Sequence, residues 1–279
     1  MLGLTVGQIP FWKFQAIGND FPLFHASDLD EVDLSELAIS AANRQFGIGG
    51  DGILVMKPLG ENRAELRMFN PDGTEDFCGN GLRIAARHAF DEGWTGAGFT
   101  LVHRGQDVPS QVLPNGQILT TIGTASYAPS EVPVNRPTEL FDDVVAVVDG
   151  KEIRGSSLST GSTHTVIPVD VLPSDDEIAS LGSQLEYLPI FPDRTSVIFA
   201  KEIAPNELQI RIWERGVGET LGCGTGSSAA AADYLRRRDA GGKVLVQNPG
   251  GEISVSMDAW DRPITVQGEA SLVYRGNLV

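Results

Sequence analysis

Cysteine is nearly absent from this chain, with two residues in 279. Stapled secreted scaffolds are short and far richer in cysteine, so the pair reads as reduced thiols in a reducing compartment, not as a disulfide framework. Cations are also scarce: 21 Lys and Arg stand against 37 Asp and Glu, for a formal net charge of −16. Contacts to nucleic-acid phosphates need concentrated Lys and Arg, which excludes nucleic acid as a partner and disfavours an anionic membrane surface. The acidity itself reads as a solubility feature. No apolar run approaches the roughly 18 residues that span a bilayer. Met1 to Pro10 lacks the basic start and small-residue cleavage site of a secretory leader, and the first cation is Lys13. The expectation is a globular cytoplasmic protein.

The two cysteines open near-identical turns, Cys78-Gly79-Asn80-Gly81 and Cys223-Gly224-Thr225-Gly226. The first follows Asn70-Pro71-Asp72-Gly73 and leads into Leu82-Arg83-Ile84-Ala85-Ala86. The second follows Glu214-Arg215-Gly216-Val217-Gly218-Glu219-Thr220 and leads into Ser227-Ser228-Ala229-Ala230-Ala231. Each cysteine therefore stands where a glycine-rich turn enters a small-residue helix. Two halves carrying one motif in a chain of this length predict two similar domains.

Strand patterns dominate elsewhere. In the first half they cover Ile53 to Met56, Ala64 to Phe69, Phe99 to His103 and Ile118 to Ile122. In the second they cover Val144 to Val148, Thr165 to Val169, Thr195 to Ala200, Leu208 to Trp213, Lys243 to Gln247, Glu252 to Ser256 and Pro263 to Val266. Helix starts are signalled by Asp33 with Glu36 and by Ser174 with Glu177. Residues 82–92 and 227–238 form the post-cysteine helices, apolar on nearly all sides and so expected inside sheet, ending at Gly93 and Gly241. Arg236 to Arg238 complement the negative end of the second helix's dipole. The Pro-, Ser- and Thr-rich stretch 123–137 has the composition of a connection. The expected domains are 1–126 and 127–267, with a final strand, 268–279, that could return to either domain, the first being the one it is placed with here.

Unpaired N–H groups and the macrodipole at a helix N-terminus favour a nearby anion, which biases a thiol there toward thiolate. Two such thiols suit the inversion of an amino-acid α-carbon, which needs a base on one face and an acid on the other. The charge that develops on the substrate carboxylate would be met by the N–H groups of Gly79, Asn80, Gly224 and Thr225. This chemistry calls for no cofactor and no metal. A zinc site from Cys78, Cys223 and His164 lacks the close ligand spacing such sites use. Gly47 to Gly52 follows a helix pattern and precedes a strand, the reverse of a dinucleotide fingerprint, and reads as a turn. His25, His88 and His103 read as packing or solvated positions.

Gly18-Asn19-Asp20-Phe21, Arg44 to Gly52, Asn70 to Arg83, Gly161 to His164 and Glu214 to Gly226 together resemble the diaminopimelate epimerase family. The resemblance runs over most of the chain in the family's order. It implies an α+β fold of two pseudo-symmetric domains, each a curled, mostly antiparallel, barrel-like β-sheet around a central α-helix, with the active site in the cleft between them. It also implies a homodimer acting on a small amino acid: epimerisation of LL-2,6-diaminopimelate to the meso form, without pyridoxal phosphate, for lysine and cell-wall synthesis. Cys78 and Cys223 would be the proton-transfer pair, with His164 and Glu214 as polar supports. Asn19, Asn70, Glu214 and Arg215 would hold substrate, Arg215 suiting the distant carboxylate because a guanidinium binds it at two points.

This chain departs from the family at Gly161-Ser162-Thr163-His164, where Ser162 replaces a substrate-binding asparagine. At Arg194-Thr195-Ser196-Val197, Ser196 replaces a second one. The loop from Asn70 to Cys78 is one residue shorter than the family's. Serine is shorter and offers a single donor, so the distal head of the substrate is where recognition is expected to differ. The competing reading is a racemase or epimerase of the same fold acting on another side chain. A binding protein without turnover has no need of two thiols. Oxidation that joins the two cysteines is a further possibility, decided by whether their Cα atoms lie within about 7 Å.

Overall fold

The computed structural model describes residues 8–279. Its contacts divide the chain into two compact units, one running to Thr120 and taking in Gly268–Val279, the other Thr121–Gln267. The first unit is built from β1 (Ile9–Ala16), β2 (Asn19–His25), α1 (Leu34–Ala41), β3 (Ile53–Gly60), β4 (Arg63–Phe69), α2 (Gly79–Asp91), β5 (Gly98–His103), β6 (Gln106–Val112) and β7 (Ile118–Thr121). The second contains β8 (Asp143–Val148), β9 (Lys151–Ser159), β10 (Thr163–Pro168), α3 (Asp175–Glu186), β11 (Ser196–Ala204), β12 (Glu207–Glu214), β13 (Gly218–Thr220), α4 (Gly224–Arg236), β14 (Gly242–Asn248), β15 (Gly251–Met257) and β16 (Thr265–Gly268). The last strand, β17 (Ser271–Leu278), pairs antiparallel with β1 and so belongs to the first unit.

Strand order shows the duplication directly. The first unit runs β17-β1-β2-β3-β4-β5-β6-β7, antiparallel except at β2–β3 and β4–β5. The second runs β8-β9-β10-β11-β12-β14-β15-β16, antiparallel except at β10–β11 and β12–β14, with β13 paired to β12. A parallel pair needs a crossover. In both units a first helix, α1 or α3, crosses the first parallel pair, and a second, α2 or α4, crosses the other. The fold is the two-domain α+β architecture expected, each sheet open within its own unit.

The central strands are buried on both faces, which is why Ile53 to Met56 reads as an unbroken apolar run. Ile53 and Val55 join Leu37, Ala38 and Ala41 of α1 in one cluster, while Leu54 lies under the start of α2 at Gly81. In the second unit Val197 and Phe199 of β11 pack with Ile178 and Leu185 of α3. Full burial of each such side chain contributes roughly 1.5–3 kcal/mol. In α4 every residue from Gly224 to Leu235 is buried. Alanine and glycine suit such a helix because neighbouring strands can approach its backbone. Asp33 caps α1 through the amides of Ser35 and Glu36, and Ser174 with Glu177 forms a reciprocal capping box on α3.

The arginines that end α4 serve packing. The Arg236 guanidinium lies 3.9 Å from the Tyr127 ring, 4.1 Å from Phe141 and 4.6 Å from Trp260. Arg237 pairs with buried Asp233, and Arg238 lies over Tyr234. Near the end of α2, His88 Nε2 and His25 Nε2 are 2.7 Å apart among Trp12, Phe14 and Trp94. One imidazole must donate and the other accept. Burial first, then the charges of His25 and Arg275, push His88 down to about 3. Below the unfolded value near 6.5 the unfolded chain binds a proton that the folded chain refuses. Stability therefore falls as pH drops from 6.5 toward 3, by about 1.4 kcal/mol per unit for this residue. His88→Gln, which keeps a donor and an acceptor but does not titrate, is expected to lessen the acid slope of urea-unfolding free energy by about that amount; an unchanged slope would refute the assignment.

Candidate active site

Both cysteines are helix N-caps, and their backbones nearly superimpose in torsion: φ −136° and ψ 110° at Cys78, φ −133° and ψ 122° at Cys223. The helices begin three residues earlier than the pattern at 82–92 and 227–238 suggests, since their glycine-rich first turns carry no apolar periodicity. Each sulfur accepts the amide of the third helical residue, Gly81 at 3.2 Å and Gly226 at 3.4 Å. A side chain there would crowd its neighbours. A Cβ at Gly81 would sit 3.1 Å from Leu54 Cδ2 and 3.3 Å from Cys78 Cβ; at Gly226 it would sit 2.6 Å from Ile212 Cδ1 and 3.3 Å from Cys223 Cβ. Gly79 and Asn80 in one unit and Gly224 and Thr225 in the other occupy the first two positions of their helices, the end at which helices bind anions.

In the first unit the structure brings Asn19, Cys78 and Asn80 together. Asn80 Nδ2 donates to Asn19 Oδ1 at 3.1 Å, and the same oxygen lies 3.9 Å from Cys78 Sγ. Both side-chain amides are fixed in orientation. Asn19 Nδ2 donates to Asp51, and buried Arg83 donates to Asn80 Oδ1 at 2.6 Å. Asp51 is held by Arg44, which also pairs with Asp20. Lys13 reaches Asp20 at 2.6 Å. The turn from Gly47 to Gly52 thus serves to place the carboxylate behind Asn19. Asn70 lies in the preceding loop, its amide donating to Thr74 Oγ1 at 3.1 Å.

His103 is a residue that the sequence pattern assigns to a packing or solvated position. It is fully buried beside the Phe77 ring, and its Nδ1 lies 3.0 Å from the Leu66 carbonyl. Its Nε2 accepts the Cys78 amide at 3.3 Å. In a capping box that amide is held by a side chain at the third helical position, where this helix has glycine. The acceptor comes instead from the end of β5. Burial lowers the His103 pKa, keeping the ring neutral and able to accept.

In the second unit Ser162, His164, Cys223 and Thr225 form one chain of contacts. Thr225 Oγ1 lies 3.3 Å from Cys223 Sγ, Ser162 Oγ 3.3 Å from Thr225 Oγ1, and His164 Nε2 2.9 Å from Ser162 Oγ. Burial, then the Arg215 charge, pushes His164 down to about 3, so it is neutral at physiological pH. Ser196, paired in register with His164, accepts the Arg215 amide at 3.1 Å. The Thr220 hydroxyl donates to Glu214 Oε1, and Arg215 donates to the Asp193 carbonyl at 3.1 Å. A buried carboxylate not anticipated from the sequence, Glu186, organises this turn. It accepts from Trp213 Nε1 at 2.8 Å, the Gly216 amide at 2.9 Å and Arg194 at 3.2 Å. Its one sequence signal is an acidic residue at a helix C-terminus, against the dipole.

The family model described as diaminopimelate epimerase matches residues 11–128 and 156–273. The chain is 34% identical over 280 residues to a diaminopimelate epimerase of Synechococcus sp. (strain JA-3-3Ab), covering 96% of this chain and 98% of that one. It is 34% identical over 274 residues to that of Caldanaerobacter subterraneus subsp. tengcongensis, with the same coverage. Among solved structures, a hydroxyproline epimerase from Agrobacterium vitis superimposes with a TM-score of 0.68 at 13% identity, over 97% of this chain and 91% of that one, a likeness of fold.

Removing the Glu186 carboxylate strands three donors. Glu186→Ala is expected to destabilise the protein by about 2–4 kcal/mol, read by urea unfolding with Trp fluorescence. A loss below about 1 kcal/mol, the worth of one ordinary hydrogen bond, would mean that the Glu214–Gly216 turn holds its shape without it.

Proposed function

This chain belongs to the diaminopimelate epimerase family, and from that premise we propose that it converts LL-2,6-diaminopimelate to the meso form by proton transfer between Cys78 and Cys223. The enzyme is a pyridoxal-independent epimerase, as its family is. One thiolate takes the α-proton as the other cysteine's S–H delivers a proton to the opposite face. No atoms are gained or lost, and the two sulfurs exchange protonation states at each turnover. The observation that carries the reading is the matched pair of cysteine N-caps, one in each unit, with the same torsions and the same glycine at the third helical position.

In this reading the amides of Gly79, Asn80, Gly224 and Thr225 stabilise the negative charge that spreads onto the reacting carboxylate, and a single such donor can be worth about 2.7–4 kcal/mol. Asn19 and Asn70 hold the substrate from the first unit, and Glu214 and Arg215 from the second. The product serves lysine and peptidoglycan synthesis in the cytoplasm. The working form is a homodimer, and β17 leaves Leu272, Val273 and Tyr274 exposed.

A second reading is favoured by the two serines. Ser162 and Ser196 stand where the family carries asparagines, and both hydroxyls are committed to the protein, to His164 with Thr225 and to the Arg215 amide. An enzyme of the same mechanism acting on a different side chain fits that difference.

Purified protein incubated under reducing conditions with LL-diaminopimelate in deuterium oxide is expected to incorporate α-deuterium and form meso product, and Cys78→Ala and Cys223→Ala are expected to abolish both. Exchange confined to another amino acid would retain the two-thiol mechanism and transfer the assignment to the second reading. Undiminished exchange in either variant would end the two-thiol mechanism.

A further inference from the structure

The hairpin turn between β12 and β13 carries Glu214 and Arg215, and its backbone is held from outside. The Val217 amide donates to the Glu214 carbonyl at 3.0 Å, which closes a four-residue turn. Gly216, third in that turn, has φ +75°, a left-handed value that favours glycine. The closing bond uses one donor only, so the amides of the two central residues need acceptors from elsewhere. Both acceptors come from positions distant in sequence. Ser196 Oγ, at the start of β11, takes the Arg215 amide at 3.1 Å, and Glu186 Oε1, at the end of α3, takes the Gly216 amide at 2.9 Å.

Each acceptor is itself fixed. Ser196 is buried and paired in register with His164 of β10. Glu186 is 3% exposed, and its other oxygen takes Trp213 Nε1 at 2.8 Å. The Trp213 ring lies against Gly182 of α3, where a Cβ would fall 2.5 Å from Trp213 Cγ, so α3 and β12 meet closely at this point. The two side chains on the turn are tethered in different ways. Glu214 Oε1 accepts the Thr220 hydroxyl from β13, which ties it to the hairpin ladder. Arg215 stands inside the turn, and its guanidinium donates to the Asp193 carbonyl at 3.1 Å, in the same short segment that supplies Arg194 and Ser196. The place of Arg215 therefore depends on the two turn amides more directly than that of Glu214 does.

We propose that Glu186 and Ser196 are positioning residues that hold the Arg215 guanidinium in place for substrate through the backbone of its turn, and that they set substrate affinity, not the rate of proton transfer. The inference rests on the reading above, in which Arg215 holds substrate, and deepens it. It gives Ser196 a task on the backbone in place of the substrate contact of the family's asparagine. A group remote from the reacting carbon is bound equally in the ground state and the transition state, so displacing its partner raises KM and leaves kcat.

Steady-state α-deuterium exchange by the full-length protein, with the amino acid that the wild type turns over, tests this. Glu186→Ala and Ser196→Ala are each expected to raise KM about tenfold while kcat stays within about twofold of wild type. Glu186→Gln, whose side-chain oxygen can still take the Gly216 amide, and Ser196→Thr, which keeps the hydroxyl, are expected to hold KM near the wild-type value. Ile178→Val loosens α3 in its core without touching the turn and is expected to leave KM unaltered, which separates positioning from general loosening. Without substrate, hydrogen–deuterium exchange in the peptide that spans the turn is expected to quicken in both alanine variants. Circular dichroism confirms the fold of each variant, and the two independent truncations guard against loss of one. A KM unchanged in both alanine variants, an equal rise in Ile178→Val, or turn exchange that neither truncation alters overturns the inference. A wild type that turns over another amino acid and not diaminopimelate counts against the leading reading alone, and the same comparisons of KM and turn exchange then decide this one.

Discussion

The bond from the third helical amide to the cysteine sulfur is the constraint on which both halves of this protein turn. Sulfur is a weak acceptor, so it caps a helix only when the chain brings the amide close without obstruction. Glycine at that position removes the side chain that would strike Leu54 in one unit and Ile212 in the other. The helix start can then press against a central strand, and the sulfur is held with the first two amides of the helix around the same point. A helix pressed so closely must itself be lined with small residues, which is why α4 runs through four consecutive alanines with no exposed face.

Duplication supplied the skeleton twice, and divergence then altered what faces each sulfur. The parallel pairs, the crossover helices and the capping torsions correspond between the units. The support behind each cap does not. The strand after α2 ends in His103, which reaches the Cys78 amide, while the strand after α4 ends in Asn248, which contacts Ser227 one residue into the next turn. Two sulfurs with one geometry and different neighbours suit a reaction in which one begins as a base and the other as an acid.

Elements with strong period-two or capping patterns are legible in the amino-acid sequence. β4, β5, β12, β14 and β15 lie where the alternation places them, within a few residues, β3 starts where its apolar run does, and Ser174 makes its capping box. Strands without that signal are not legible there. β6 and β9 are polar or interrupted, carrying Pro109 in one and Arg154-Gly155-Ser156 in the other, and they form because neighbouring strands take their backbone groups. β1 and β2, which carry Asn19 and the lysine that steadies its neighbour Asp20, likewise become strands through their pairing.

What the sequence by itself determined is chemistry that needs only local order: two thiols, each entering a glycine-started helix of small residues, in a chain that repeats its plan. A cap, a first turn and a helix dipole are set within four or five residues, so they can be read along the chain. Only the tertiary structure decided which atoms face those thiols. Asn19, Asp51 and Arg83 bring an amide oxygen toward Cys78, and His164, Ser162 and Thr225 make a chain of contacts to Cys223, from positions far apart in sequence. Side-chain orientation across a sheet depends on register and on partners contributed by other strands, and no local pattern encodes it.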